Sequence, residues 1–441
     1  MLNRLIKVAV LTGTAHLFTL YSLKFVSSIL LAYQLEFIGE VDSITNLIIS
    51  VIGLGLLMST VRDIAVSNNW KLDFLKAQQS RFTLSLFLCP VGFLGIYDSI
   101  YFIFFFSPIF ALNGDYAFYG RSQPVFAAFL ALLKVLLPGF ALIVSAIYYP
   151  KHVFLVFGFS IIISHLICSI ITIRKLRTSF FTKPSISSLR SYQKNLQLGI
   201  VTLSFYFLGL GLVLISSFFY DTVVIAKAYL IIKIYTVFKG VLRMINQSFI
   251  KEMTDDESCF KVDQLAFLSA SLFAISLFLF PQTFKYLLLE DTYFENISSL
   301  IYIVLASLVC ARFTSYTTKA ILEKRDKEYA KWACYSIVIT ILTAFICSRI
   351  SQSTNGLFIS LLIGELTFAI GLIVIINKPL GVILRLRGSL MFIPYLLLPL
   401  SFRFIFGDQL MTLIAGLGTF AFLYLFNRKA DFLPKVTTDN A

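Results

Sequence analysis

Apolar blocks of about 20 residues follow one another along almost the whole chain, and nothing else limits its fold so tightly. Stretches such as 123–149 and 356–376 are long enough to cross a bilayer. Hydrocarbon offers no water to pair a backbone amide, so each block must close its hydrogen bonds within itself as a helix. The composition agrees: of 441 residues, 58% are hydrophobic and 14% charged, Phe alone counts 46, and the mean hydropathy is +0.86. The expected fold class is all-α, a polytopic membrane protein with about 14 transmembrane helices. The first 33 residues open with positive charge, but their apolar block is too long for a signal peptide and reads as the first span.

Spans are expected at 5–33, 43–66, 123–149, 152–173, 192–220, 221–251, 264–288, 295–322, 327–350, 356–376, 387–406 and 409–427. The run 82–118 is too long for one helix and divides near Tyr97 and Asp98 into two more. With the N-terminus inside, the inner segments hold 25 Lys and Arg and the outer ends at most four: Lys151, Lys285, Arg349 and Arg403. That bias orients both termini to the cytoplasm, as in a bacterial inner membrane, and also accounts for most of the +14 net charge without nucleic acid. Outer loops are short and acidic, with Glu36, Glu40 and Asp42 in the first and Glu290, Asp291 and Glu295 in the fifth.

The longest loop splits the spans into six before and six after, plus a terminal pair. The expected domains are an N-terminal lobe 1–174, a cytoplasmic linker 175–191, a second lobe 192–376, an extra helix pair 387–427 and a tail 428–441. An offset of 203 residues lays Ala117, Phe118, Tyr119, Phe126 and Ala127 on Ala320, Ile321, Leu322, Tyr329 and Ala330. Both stretches read as a helix end, a basic turn and the next helix start. Duplication of an even number of spans would give two parallel lobes around a central cavity.

Chemistry is concentrated in charges inside the spans. Eight cations fall there: Lys24, Lys134, Lys227, Lys233, Lys239, Arg243, Arg312 and Lys319; Glu365 is the one clearly intramembrane acid. A structural ion-pair network would approach balance, so the excess suggests an anionic ligand. The stretch 221–251 concentrates the pattern, since Lys233, Lys239 and Arg243 share an arc of about 120° while Lys227 points away. For Lys24, Lys134, Lys233 and Lys239, a ligand-facing wet cavity stands against snorkelling to an interface, and Arg312 is open to both readings. Lys227 and Lys319 read as anchors. Arg62 and Asp63 read either as a cytoplasmic gate or as an interfacial anchor, and Glu365 either as a coupling group or as a hydrogen-bonded structural carboxyl.

Enzymatic signatures are lacking. His16, His152 and His165 have no metal spacing, and the six scattered cysteines suggest neither a disulfide framework nor a metal site. No cofactor is expected. Without a nucleotide-binding loop, transport would draw on an ion gradient such as H+ or Na+, on the membrane potential or on the substrate gradient.

The stretch LIISVIGLGLLMSTVRDIAVS resembles the second helix of polysaccharide flippases of the Wzx type. The junction ALNGDYAFYGRSQPVFAAFLALLKVLLPG resembles their fourth-to-fifth junction, and the layout of the seventh and eighth spans, with Asp221 and the exit QSFIKEM, resembles the start of their second lobe. The resemblance covers nearly the whole chain and lies in layout more than in a sharp motif. It implies the multidrug/oligosaccharidyl-lipid/polysaccharide exporter superfamily, two six-helix lobes and alternating access. It also implies an undecaprenyl-pyrophosphate-linked oligosaccharide, such as an O-antigen repeat unit, as substrate, with a polysaccharide polymerase and a chain-length regulator as partners. Lys24, Lys134, Lys233, Lys239, Arg243 and Arg312 would then offset the charge of the pyrophosphate. Two rival readings stand: a cation-coupled multidrug exporter, disfavoured because no acid is seen in mid-span of the first lobe, and a membrane glycan polymerase or ligase, disfavoured by the short outer loops.

Overall fold

The computed structural model describes residues 2–121, 123–179, 181–248, 253, 256–280, 282–283, 300–376 and 393–427, and among them there is no strand. The chain divides into two compact units, Met1–Ile232 and Lys233–Ala441.

In the first unit the helices are α1 (Leu2–Ser27), α2 (Ala32–Gly53), α3 (Leu56–Val66), α4 (Trp70–Leu88), α5 (Ser107–Ala111), α6 (Tyr116–Gly120), α7 (Pro124–Tyr148), α8 (Val153–Leu176), α9 (Arg190–Lys194), α10 (Leu196–Phe207) and α11 (Leu210–Ser216). The long helix α12 (Thr222–Ser248) contains the division between the units. The second unit continues with α13 (Asp256–Leu279), α14 (Leu300–Arg312), α15 (Thr314–Leu322), α16 (Asp326–Ile350), α17 (Thr354–Ile376), α18 (Ile393–Phe406) and α19 (Leu410–Asn427).

Among the described residues, eight segments are long and apolar enough to cross a membrane: Trp70–Ile96, Ser99–Gly120, Pro124–Tyr148, Pro150–Leu176, Asp256–Leu279, Leu300–Leu322, Asp326–Ile350 and Thr354–Ile376. A ninth arises if α10 and α11, bent by 71°, form one broken span. The polytopic helical class stands, and the count of fourteen crossings is an expectation. The helix α12 falls short of the same test because any 18 consecutive residues of it include at least three cations. Of the expected spans, 249–251, 281, 284–288, 295–299 and 387–392 lie outside the described residues.

Several boundaries differ from the sequence reading. The third span begins at Trp70 and the ninth at Asp256, well before the expected Phe82 and Gln264, and the second begins at Ala32. Gln34 of α2, Gln78 and Arg81 of α4, and Lys261 and Asp263 of α13 are buried, so charge and polarity did not mark the end of the helix. The split at Tyr97 and Asp98 is as expected. There, two 3-10 segments, Cys89–Ile96 and Ser99–Phe106, fold back on each other, and Asp98 Oδ1 accepts from the Ile100 N–H at 3.2 Å. Side chains three apart eclipse in a 3-10 helix. Gly92 and Gly95 accordingly leave room for Phe105 and Phe102, whose rings come within 2.8 and 2.5 Å of where a Cβ would stand.

Around the first unit's core, α3, α4, α6, α7 and α8 meet at Ile64, Phe74, Phe118, Leu130 and Cys168. Helices α10 and α11 pack on α2, where the Tyr206 hydroxyl donates to Ser43 O at 3.0 Å, and the hydroxyl of Tyr192 in α9 donates to Ile52 O at 2.5 Å. In the second unit, α16 and α17 form an antiparallel pair, α17 packs on α14, and α14 on α13. The terminal pair α18 and α19 joins α13 through Phe280, Leu413 and Phe420. Asp408, in their turn, accepts from the Gln282 and Thr283 backbone N–H groups at 2.8 and 3.1 Å.

The second span breaks between α2 and α3 at Gly55, which has φ +78°. A Cβ there would lie 2.4 Å from Asn195 O and 2.8 Å from Gly199 N, at the start of α10. The left-handed conformation alone costs a non-glycine residue about 1–2 kcal/mol. Gly55→Ala should therefore lower the midpoint of thermal unfolding in detergent, with a larger loss for Gly55→Val; an unchanged midpoint in both would mean that the break tolerates a side chain.

Candidate functional site

Some of the charged groups within the spans lie at helix breaks. In the first unit the chain leaves α5 at Leu112 and re-enters helix at Tyr116, inside the segment Ser99–Gly120. The end of a helix exposes carbonyls with no intrahelical partner. Helix α4 supplies donors to them: Gln78 Nε2 donates to Leu112 O at 3.1 Å, and Arg81 donates through Nη1 to Asn113 O and through Nη2 to Phe110 O at 3.3 Å. Arg81 also donates to Gln78 Oε1 at 2.8 Å, and the Tyr116 hydroxyl donates to the same oxygen at 3.2 Å. The guanidinium is 2% exposed and lies over the Tyr116 ring at 5.2 Å. Its planar fork of donors suits several convergent carbonyls, and its charge suits the negative end of a helix.

Asp115 stands in the same break. Its Oδ2 accepts from Lys134 Nζ of α7 at 2.8 Å, with both side chains largely buried. His165 of α8 packs edge-on against Phe110, ring centroids 5.0 Å apart.

The second unit has a counterpart. Helix α14 ends at Arg312, Phe313 interrupts, and α15 begins at Thr314. Here the unpaired groups on the far side of the break are donors. Asp263 of α13, fully buried, accepts the Ser315 N–H at 2.7 Å and the Ser315 hydroxyl at 2.6 Å. Asn246 of α12 donates to Thr314 O at 3.0 Å and to its hydroxyl oxygen at 2.8 Å. Arg312 is buried, with its guanidinium 5.1 Å from the Phe267 ring and 5.9 Å from the Phe260 ring. Lys319, in the last turn of α15, forms an ion pair with Asp256 of α13.

A third polar centre joins α12 and α17. Glu365, 2% exposed, accepts from Lys239 Nζ at 2.7 Å and from the Tyr235 hydroxyl at 2.6 Å, both through Oε1. Tyr235 and Lys239 are four apart and present one helix face, with the ammonium 5.4 Å from the tyrosine ring. Breaking such a pair from one side costs about 3–5 kcal/mol, because the other charge is left buried.

Of the residues singled out in the sequence, the structure joins Lys239 to Glu365. It pairs Lys134 with Asp115 and Lys319 with Asp256. The expectation that the intramembrane cations lack protein partners is thereby overturned for these three lysines. The two partners other than Glu365 escaped notice because Asp115 lies in a turn within an apolar run and Asp256 in what read as a loop. Asp115 also removes the argument that the first lobe has no acid within a span. Lys24 on α1 and Lys233 on α12 are half-buried, Arg243 is exposed, and Asp63 is exposed at the end of α3. Arg62 belongs to α3, and its side chain lies outside the described residues.

Sequence reasoning missed Gln78, Arg81, Tyr235 and Asp263. One signal was available for α4: Phe74, Gln78 and Arg81 recur at helical spacing with Ala77 and Ser85, all buried. The triplet Asn113-Gly114-Asp115 inside an apolar run was a second.

No protein-family profile and no curated protein sequence matches the chain. Solved structures do. The lipid II flippase MurJ in an inward closed conformation superposes with TM-score 0.65 at 11% identity, over 96% of this chain and 99% of that one. A multidrug resistance MATE family transporter of the MOP superfamily superposes in its inward-facing conformation with TM-score 0.57 at 14% identity, over 87% of this chain and 99% of that one. The outward-facing conformation of a MATE family transporter gives 0.54 at 14% identity, over 88% and 95%. The chain thus shares the fold of these transporters.

The two clasps at the breaks can be tested separately. Asp263→Ala strands the Ser315 N–H and hydroxyl, at about 1–3 kcal/mol for each buried group left unpaired. Arg81→Met strands the carbonyls of the first break. Both should lower the thermal midpoint by several degrees, with Asp263→Asn falling between wild type and Asp263→Ala; full stability in both Asp263→Ala and Arg81→Met would show that the breaks are satisfied by other groups.

Proposed function

We propose that the chain is a flippase that carries a polyprenyl-pyrophosphate-linked oligosaccharide, such as an O-antigen or similar repeat unit, from the cytoplasmic to the outer leaflet of a bacterial inner membrane by alternating access. The observation that carries this reading is the charge of α12: Lys227, Lys233, Lys239 and Arg243 lie within Thr222–Ser248, which contains no Asp or Glu. Lys239 pairs with the buried Glu365. A cationic helix of this kind suits an anionic cargo, since a pyrophosphate cannot enter low dielectric without countercharge. The fold shared with a lipid II flippase supports the same class.

In this reading Lys24, Lys134, Lys233, Lys239, Arg243 and Arg312 contact the cargo, and Arg62 with Asp63 gates the cytoplasmic mouth. The lobes are 1–174 and 192–376, the pair 387–427 is an addition, and the polymerase and chain-length regulator act on the product. The coupling ion is H+ or Na+. An anion that draws Lys239 away would leave the Glu365 carboxylate buried without that partner, so the pair links cargo to the coupling step.

The cation-coupled drug exporter is the second reading. It is favoured by the MATE fold likeness and by Asp115, an acid within a candidate span of the first unit. A glycan polymerase or ligase finds no such support.

Translocation of a lipid-linked oligosaccharide in liposomes separates the readings. Lys24→Ala and Lys233→Ala should each slow translocation about tenfold or more, the equivalent of one charge-assisted hydrogen bond, with insertion intact. The double variant Lys239→Gln/Glu365→Gln, which removes both charges, should fold better than Lys239→Ala and still translocate poorly. Wild-type rates in all of these variants, or drug efflux without glycolipid transport, would remove the flippase reading.

A further inference from the structure

The loop after α8 does not hang free of the first unit; it lies along α4 as a strap. Gln79 Nε2 donates to Lys183 O at 2.7 Å, the Ser185 N–H donates to Thr83 Oγ1 at 3.0 Å, and Ser80 Oγ donates to Ser188 O at 3.0 Å. Ser191 Oγ donates to Ser80 Oγ at 2.9 Å, and Phe181 packs edge-on against Phe82, centroids 6.2 Å apart. Between strap and helix runs an open groove of about 310 Å³, lined by Thr83, Leu86, Phe87, Pro184, Ser185 and Ile186. That volume is at the lower end for ligand sites.

Polarity changes along α4 in step with the groove. From Trp70 to Lys76 the helix carries Lys71, Asp73 and Lys76, and from Phe82 to Leu88 it carries no charged residue. Trp70 lies beneath the Arg121 guanidinium at 4.5 Å, an aromatic and cationic pairing of the kind found at a membrane surface. The groove residues Thr83 to Phe87 stand about 6–12 Å deeper than Gln79, at 1.5 Å per residue. At the shallow end, Lys76 is one turn from Gln79, which binds the carbonyl of Lys183, and both lysines are exposed. Leu86, Phe87 and Ile186 are 40%, 58% and 75% exposed, so the deep end offers apolar surface. Arg174, Lys175 and Arg177 precede the strap in the chain, Arg190 and Lys194 follow it, and all are exposed.

We propose that this groove is a resident site for one anionic glycerophospholipid, with its phosphate between Lys76 and Lys183 and one acyl chain against Leu86, Phe87 and Ile186. Cations at the shallow end and apolar surface one to two turns deeper match the order of phosphate and chain in a leaflet, and clusters of four to eight cations beside a span select anionic headgroups. A strap held by this many hydrogen bonds suits a lipid that stays rather than a cargo that must leave.

Native mass spectrometry of the full chain released from detergent, with phosphatidylglycerol or phosphatidylcholine added, tests the site. Wild type should retain one phosphatidylglycerol about tenfold more than phosphatidylcholine. Lys76→Glu/Lys183→Glu should abolish that preference, and Leu86→Trp and Ile186→Glu, both at exposed positions, should each reduce the bound phosphatidylglycerol. Equal retention of both lipids by wild type would overturn the proposal. So would loss of binding in the charge variant with none in Leu86→Trp or Ile186→Glu, which would mean attraction to the basic loop alone. Displacement of phosphatidylglycerol from wild type by equimolar polyprenyl phosphate would assign the groove to lipid-linked cargo instead and overturn it equally. Thermal midpoints of the variants, measured in parallel, identify any that lose binding by unfolding.

Discussion

At membrane depth a backbone group without an intrahelical partner has no water to turn to, and the breaks within Ser99–Gly120 and Leu300–Leu322 are built around that constraint. A break leaves carbonyls on one side and amides on the other. In the first unit the carbonyl side is closed by a cation, Arg81, with Gln78 beside it. In the second unit the amide side is closed by an anion, Asp263. Each charge has the sign that the exposed helix end favours. Each also comes from the span immediately before the broken one, so the same local solution appears in both units with opposite charge.

This device explains what could and could not be read from the sequence. The apolar blocks gave helices close to their observed places, and the division at Tyr97 and Asp98 was visible because turn chemistry and length agreed there. The starts of the third and ninth spans were missed because Arg81 and Asp263 look like loop residues to any reading based on hydropathy. Their partners are backbone atoms of another span, which no local pattern announces. Asp115 was missed for the complementary reason: it lies in a turn, and the turn lies within a span. Tyr235 carried no signal, since an aromatic residue on an apolar helix is ordinary until an acid from α17 meets its hydroxyl. The stretches aligned at an offset of 203 did have the local layout expected of them: α6 and α15 are short helices after a break, followed by Arg121 or Arg325 and then by the long helices α7 and α16.

The buried pairs change how the intramembrane charges are weighed. A count of eight cations against one acid implied a ligand for most of them. With Asp115, Glu365 and Asp256 engaging Lys134, Lys239 and Lys319, three of those cations already have a structural role. A paired lysine is poorly suited to be a passive countercharge, because cargo must compete with a carboxylate that is itself costly to leave behind. In the proposed transport cycle, gain of cargo and release of the pair would happen together.

The sign of the charge on α12 therefore carries more weight than the total. Fold likeness at 11% and 14% identity is shared by a lipid II flippase and a multidrug transporter, so architecture is common to both readings. What an anionic and a cationic cargo would require differs at the level of single helices: the first needs net positive charge where it crosses, the second net negative. The sequence of Thr222–Ser248 holds four cations and no acid, and Glu365 of α17 meets one of them, Lys239. Under the flippase proposal a pyrophosphate would meet countercharge along α12 where a cationic drug would meet repulsion, and that difference is what the translocation experiment reads.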